Sequence, residues 1–228
     1  MLPSAHSVRL LLAAVGLFSA SCMSAQTNSD WISLFDGKTA SAWRGYLKPD
    51  LPAGWEVVDG ALTRVAAGGD IITKDQFESF ELELEWKIAP GGNSGIFFHV
   101  REDTSLSHVY VSGPEFQILD NAAHRDGLDP RTSAGSNYAL HAPARDVTKK
   151  PGEWNHVRII VNGGHVEHWL NGQKLLEYEL WSDDWTQRVA ASKFKTMPHY
   201  GKSKTGHIAL QDHGDWVAYR NIRIRRIN

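Results

Sequence analysis

Phe80-Glu81-Leu82-Glu83-Leu84-Glu85-Trp86-Lys87-Ile88 alternates without a break. Leu82, Leu84, Trp86 and Ile88 fall on one face, and Glu81, Glu83, Glu85 and Lys87 on the other. Successive side chains of an extended chain point to opposite faces, so a period of two reads as a half-buried strand. The neighbouring segments repeat the pattern. Trp55 to Thr63 reads as a hairpin turning at Asp59-Gly60. Ser94 to Arg101 is a strand after the Pro90-Gly91-Gly92-Asn93 turn. Trp154 to Val161, Val166 to Leu170 and Lys174 to Tyr178 form a meander, with turns at Asn162-Gly163-Gly164 and Asn171-Gly172. Gly206 to Gln211 and Trp216 to Ile227 close the chain. One segment, Asp183 to Phe194, has a helical pattern, with Asp183 placed to cap it. The expected fold is all-β: a two-sheet antiparallel jelly-roll sandwich with one short helix.

The chain has 228 residues, 42% of them hydrophobic, enough for one domain with a substantial core. Its 24 basic and 26 acidic residues give a net charge of -2, with no basic patch of the kind nucleic acid requires. Arg223, Arg225 and Arg226 fit the outer face of the last strand. Residues 1–25 read as an export signal: Arg9, an apolar run from Leu10 to Phe18, then Ser19-Ala20-Ser21-Cys22. The run is too short to span a bilayer. Cys22, the single cysteine, follows three small residues as in a lipobox, which predicts lipidation there and a periplasmic or cell-surface location; simple secretion with cleavage near Ala25 is the alternative. Residues 26–228 are then one domain with no disulfide.

Pro114-Glu115-Phe116-Gln117-Ile118-Leu119-Asp120-Asn121 carries the most chemistry. Alternation sets Glu115 and Gln117 on one face of an apolar strand, where polar groups line a cleft or sit in a hydrogen-bonded core. The spacing of Glu115, Gln117 and Asp120 is similar to the Glu-x-Asp-x-x-Glu signature of jelly-roll β-glucanases. That signature needs a bulge, here at Leu119-Asp120, to bring the outer carboxyls to one side. Two carboxyls ~5–5.5 Å apart would make a retaining glycosidase. Without the bulge the two point to opposite faces. Among the histidines no pair has zinc-ligand spacing. The motifs indicate no cofactor and leave a divalent metal open. His124, just past the acidic strand, and His213, in Gln211-Asp212-His213-Gly214, are the two histidines best placed for a site. Asn93 can exchange hydrogen bonds with sugar hydroxyls. Of nine tryptophans, Trp86 and Trp154 read as core; Trp43, Trp181 and Trp185 are core residues or cleft walls. The long segment from Asn121 to Pro151 has weak periodicity, which marks a functional loop.

A set of ordered motifs spans almost all of residues 26–228: Leu34-Phe35-Asp36-Gly37, Trp55-Glu56-Val57, Asn93-Ser94-Gly95-Ile96-Phe97-Phe98, Glu115 to Asp120, Gly152-Glu153-Trp154-Asn155, His168-Trp169-Leu170-Asn171-Gly172, Ser192-Lys193-Phe194 and Gly206 to Gly214. On these the chain resembles the 3-keto-disaccharide hydrolase domain family. The resemblance implies a concanavalin A-like sandwich and a small carbohydrate substrate, a glycoside already oxidised at C3. A ketone at C3 acidifies the C2 hydrogen. A base can remove it, the C1 substituent leaves, and water adds to the enone. In that chemistry Glu115 or His124 is the expected base and Asp120 a second acid–base group. Asn93, His99, Arg101, Gln117, Tyr138, His168, Lys193, Gln211 and His213 are the expected substrate-binding residues, with Lys193 as a cation for the enolate. A noncatalytic carbohydrate-binding module and a β-glucanase-like glycosidase are the competing readings.

Overall fold

The computed structural model describes Met1 and residues 31–227. The expected export segment, Cys22 included, lies outside the described residues apart from Met1. Among the described residues thirteen strands form two sheets, accompanied by one α-helix.

The larger sheet has eight strands. Its centre is β6 (Phe80–Ile88) between β9 (Asn155–Asn162) and β13 (Val217–Arg226). Beyond β9 lie β10 (His165–Leu170) and β11 (Gln173–Glu179); beyond β13 lie the hairpin of β3 (Trp55–Val58) and β4 (Ala61–Arg64), with β1 (Ile32–Ser33) also on β13. The Asp59-Gly60 turn has both residues at positive φ, +50° and +74°, the twist a two-residue hairpin prefers. Leu82, Leu84, Trp86 and Ile88 are buried against the other sheet. The opposite face carries cross-strand ion pairs: Glu81 with Arg158 and Arg225, Glu83 with Arg223, and Glu85 with Arg220. Glutamate alternation on β6 and arginine alternation on β13 thus meet as charge pairs.

The smaller sheet runs β2 (Trp43–Gly45), β5 (Ile71–Thr73), β12 (His207–Leu210), β7 (Asn93–Val100) and β8 (Glu115–Leu119). All residues of β7 and β8 are buried, so this sheet is covered on both faces. Its inner face, with Ile96, Phe98, Phe116 and Ile118, completes the core between the sheets. Its outer face packs Phe97, Val100, Ile72 and Ala209 into a second apolar cluster with Tyr46 and Val109.

Helix α1 is Asp183–Ala191, and a 3-10 turn over Lys193–Thr196 follows it. The cap is Ser182, not Asp183: its hydroxyl accepts the Trp185 N–H, which places Asp183 in the first turn, favourable to the helix dipole. The 121–151 segment lies along the free edge of β8. Gly135 N–H donates to the Gln117 carbonyl at 2.9 Å, Gln117 N–H to Ser136, and Tyr138 N–H to Glu115. It covers an edge that would otherwise expose unpaired backbone groups. Asp126-Gly127-Leu128-Asp129 falls in 3-10 turns there. Among the described residues no helix is long and apolar enough to cross a membrane.

Candidate functional site

The β7–β8 register runs Asn93–Leu119, Ser94–Ile118, Gly95–Gln117, Ile96–Phe116 and Phe97–Glu115 without a shift. There is no bulge at Leu119-Asp120. Strict alternation therefore puts Asn93, Gly95, Glu115 and Gln117 on the outer face of the smaller sheet. Gln211, whose N–H donates to the Gly95 carbonyl, extends the same face. These side chains line a cavity of about 130 Å³, closed by Tyr110, Tyr138, Lys193 and His213.

Glu115 sits at the base of the cavity, 6% exposed. Burial pushes its carboxyl up to about 8; Lys193 pulls the other way, and Asp70 and Asp126 push further up. Lys193 is exposed over much of its length, yet desolvation around its ammonium lowers it while Glu115 and Asp126 oppose that shift. Its Nζ lies 4.1 Å from the centroid of the Tyr138 ring. Tyr138 Oη donates to Asp126 at 2.9 Å; burial and that carboxylate hold the phenol well above its ordinary range. Three amide oxygens that line the cavity, Asn93 Oδ1, Gln117 Oε1 and Gln211 Oε1, are buried without a protein partner. Unpartnered buried acceptors are costly and call for a donor from a ligand or water. Gly95 is the residue that admits the carboxylate: a methyl there would stand 2.3 Å from Glu115 Oε1.

The remaining expected residues lie elsewhere. Asp120 is on the opposite side of its strand, where Oδ2 accepts the Gly91 N–H at 2.8 Å and Oδ1 the Ala122 N–H at 3.2 Å. It shapes the turn after β8 and lines a separate pocket with Trp86 and Lys149. His124 caps a 3-10 turn through Nδ1, which accepts the Asp126 N–H, and its ring lies edge-on to His213 at 6.4 Å, behind the cavity mouth. His99 is buried at φ +52°, with Nε2 on the Glu78 carbonyl and its ring on Phe80 and Phe98. His168 is buried in the core, Nδ1 on the Gly135 carbonyl, and burial pushes it down to about 3. Arg101 is at the surface, paired with Asp103. Neither buried histidine nor Arg101 lines the cavity. Trp43 and Trp185 are core, and Trp181 donates to the Gly201 carbonyl. Tyr110 and Asp70 carry no motif in the sequence. Tyr110 comes from a 3-10 turn, Val109–Val111. Asp70, pushed up to about 6 by burial, accepts the Asp212 N–H.

Among the described residues, His165, Glu167 and Glu177 could together hold a metal. They lie on β10 and β11 of the larger sheet, where Lys174 Nζ is 2.7 Å from Glu177 and 3.5 Å from Glu167.

Residues 30–225 match the model of the 3-keto-alpha-glucoside-1,2-lyase-like domain. The chain belongs to that family. It is 40% identical to a 3-keto-disaccharide hydrolase of Bacteroides thetaiotaomicron over 226 residues, covering 86% of this chain and 78% of the relative. A solved Parabacteroides distasonis structure, described as a candidate glycosyl hydrolase, superposes with a TM-score of 0.82 at 34% identity over 87% of this chain and 94% of its own. A carbohydrate-binding module of Bacillus subtilis shares the fold alone, at 11% identity and a TM-score of 0.50 over 79% of this chain and 93% of the module. As a member of the 3-keto-alpha-glucoside-1,2-lyase-like family, the protein is an enzyme of the glycosidase or lyase type acting on keto-sugar glycosides.

Proposed function

We propose that the Glu115 cavity is the active site and that cleavage begins with removal of the C2 proton beside a C3 ketone. The observation that carries this reading is a buried carboxyl facing one cation and three unpartnered amide oxygens in a single small cavity. Burial raises the basicity of Glu115 towards that of a working general base. Its carboxylate takes the C2 proton, and the electron pair of that bond forms the enolate on the C3 oxygen. The enolate expels the C1 oxygen, leaving an enone. Negative charge thus moves from Glu115 to the enolate and on to the departing oxygen. Lys193 offsets it along the way and gives the last proton, a role its lowered ammonium suits. Water then adds at C1, its proton returns to Lys193, and Glu115 returns a proton to C2. The sum is hydrolysis. Tyr138 does not enter the proton traffic, because its hydroxyl is committed to Asp126. The amides of Asn93, Gln117 and Gln211 hold the sugar hydroxyls, and His213 closes the mouth.

The straight register of β8 argues against a glucanase-type pair, since Asp120 and Glu115 diverge. A binding module would present an open aromatic platform; this cavity is a polar recess with its carboxyl inside. A glucoside and its 3-keto form, offered in parallel, test the reading. Cleavage of the keto form alone, lost in Glu115→Gln, supports it; equal cleavage of the plain glucoside, or full activity in Glu115→Gln, removes it.

We also propose that the protein is exported and anchored through Cys22, on the strength of its N-terminal sequence. Mass spectrometry of the mature N-terminus tests this; an unmodified chain starting near Gln26 would rule out the anchor.

A further inference from the structure

The 130 Å³ cavity is smaller than the roughly 300–1,000 Å³ of ordinary ligand sites. It does not stand alone. Tyr138 and Lys193 are also walls of a second, open groove of about 470 Å³, between α1 and the 129–140 segment. The stacked pair of Lys193 Nζ on the Tyr138 ring is therefore a threshold common to both spaces.

Two arginines face the groove from opposite sides. Arg131 is held by Asp129 through Nε at 3.3 Å and Nη2 at 2.9 Å. Arg188 is held by Asp184 through Nε at 2.7 Å and by the Leu140 carbonyl through Nη1 at 3.1 Å. Each guanidinium is oriented at the groove rim by its exposed ion pair and keeps a terminal nitrogen, Arg131 Nη1 and Arg188 Nη2, without a protein partner among the described residues. A planar donor with a free N–H edge suits an acceptor-rich ligand, either vicinal hydroxyls or a carboxylate.

We propose that this groove is the leaving-group subsite and that Arg131 and Arg188 set its specificity for an oxygen-rich leaving group, a second sugar or sugar acid, over a small or apolar one. The inference rests on the Glu115 reading for its orientation. The keto-sugar occupies the inner cavity, the glycosidic bond crosses the Tyr138–Lys193 threshold, and the leaving group lies in the groove. Lys193 is then the cation nearest the departing oxygen, as the chemistry requires.

The test compares kcat/KM for 3-keto-glucosides carrying methyl, phenyl, glucosyl and glucuronyl leaving groups, in the wild type, Arg131→Ala and Arg188→Ala. Both arginines are substantially exposed, so their loss leaves the core intact. The glucosyl and glucuronyl substrates are expected to lose roughly tenfold more than the methyl substrate, the size of one hydrogen bond from a charged donor. A larger loss for glucuronyl than for glucosyl identifies an anion as the preferred ligand; equal losses identify a neutral sugar. Equal losses on methyl and glucosyl substrates, no loss on either, or a wild type that prefers phenyl would overturn the proposal. The comparison runs between substrates of one enzyme, so it holds whichever group removes the C2 proton. Failure of the Glu115 reading would appear separately, as activity surviving in Glu115→Gln.

Discussion

Gly95 and Glu115 lie on neighbouring strands so that the space a methyl would take on Gly95 is filled by Glu115 Oε1, 2.3 Å from that position. Glycine here serves close approach and not an unusual backbone angle. Gly95→Ala should therefore push the carboxyl out of place while the register of β7 and β8 survives. We expect kcat/KM to fall about 10²-fold or more, with a stability loss of about 1–3 kcal/mol from overpacking. Circular dichroism and steady-state kinetics on the variant check the two halves.

Glu115 also costs stability. Its folded-state value near 8 lies above the ordinary carboxyl value of 4.5, so the folded state holds this proton more tightly than the unfolded chain. The contribution is complete below pH 4.5 and is lost as pH rises through about 8. Glu115→Gln does not titrate. It should be inactive yet more stable than the wild type above pH 8, by on the order of a few kcal/mol, as read by urea unfolding at pH 9 and pH 5.

The same groups shape the pH profile. Activity needs ionised Glu115, so kcat/KM should rise with a limb near pH 8, far above the usual carboxyl range. It should fall again as Lys193 deprotonates, below the ordinary 10.5 of a lysine because burial disfavours its charge. Lys193→Met removes the cation that favours ionised Glu115. Its low-pH limb should move up, and kcat should drop about 10²–10³-fold.

Acid should weaken the fold through its buried histidines. Burial holds His168 down to about 3 and His141 down to about 4, with His99 and His207 lowered as well. The unfolded chain takes up these protons first, so stability falls as pH drops from about 6.5 through those values. His168→Gln should flatten part of the slope between pH 6.5 and pH 3.5 in unfolding titrations.

The architecture was largely legible because its long strands alternate cleanly and its turns carry Asx-Gly pairs. The β3–β4 hairpin, β6, β9 to β11 and β13 each announce themselves. Ile32–Ser33, Trp43–Gly45 and Ile71–Thr73 do not, since two or three residues are too short for a period. At the site, alternation put Glu115 and Gln117 on one face, and the Asn93-Ser94-Gly95 motif lies on the strand beside them. Asp120 was harder, because only the register shows whether the strand bulges. His99 and His168 look like site residues in a sequence, yet both are core: one ring nitrogen of each meets a backbone carbonyl, the rings pack on aromatic neighbours, and His99 Nδ1 and His168 Nε2 are buried without a partner. Tyr110 reaches the cavity from a turn that carries no pattern of its own.

Proton removal from C2 by Glu115 is tested most directly with a 3-keto-glycoside deuterated at C2, compared with its protiated form in the wild type and Glu115→Gln. Slower turnover of the deuterated substrate in the wild type, with C2 acquiring solvent hydrogen in the product and neither event in Glu115→Gln, is the predicted result. Equal rates together with a C2 label fully retained in the product would contradict it.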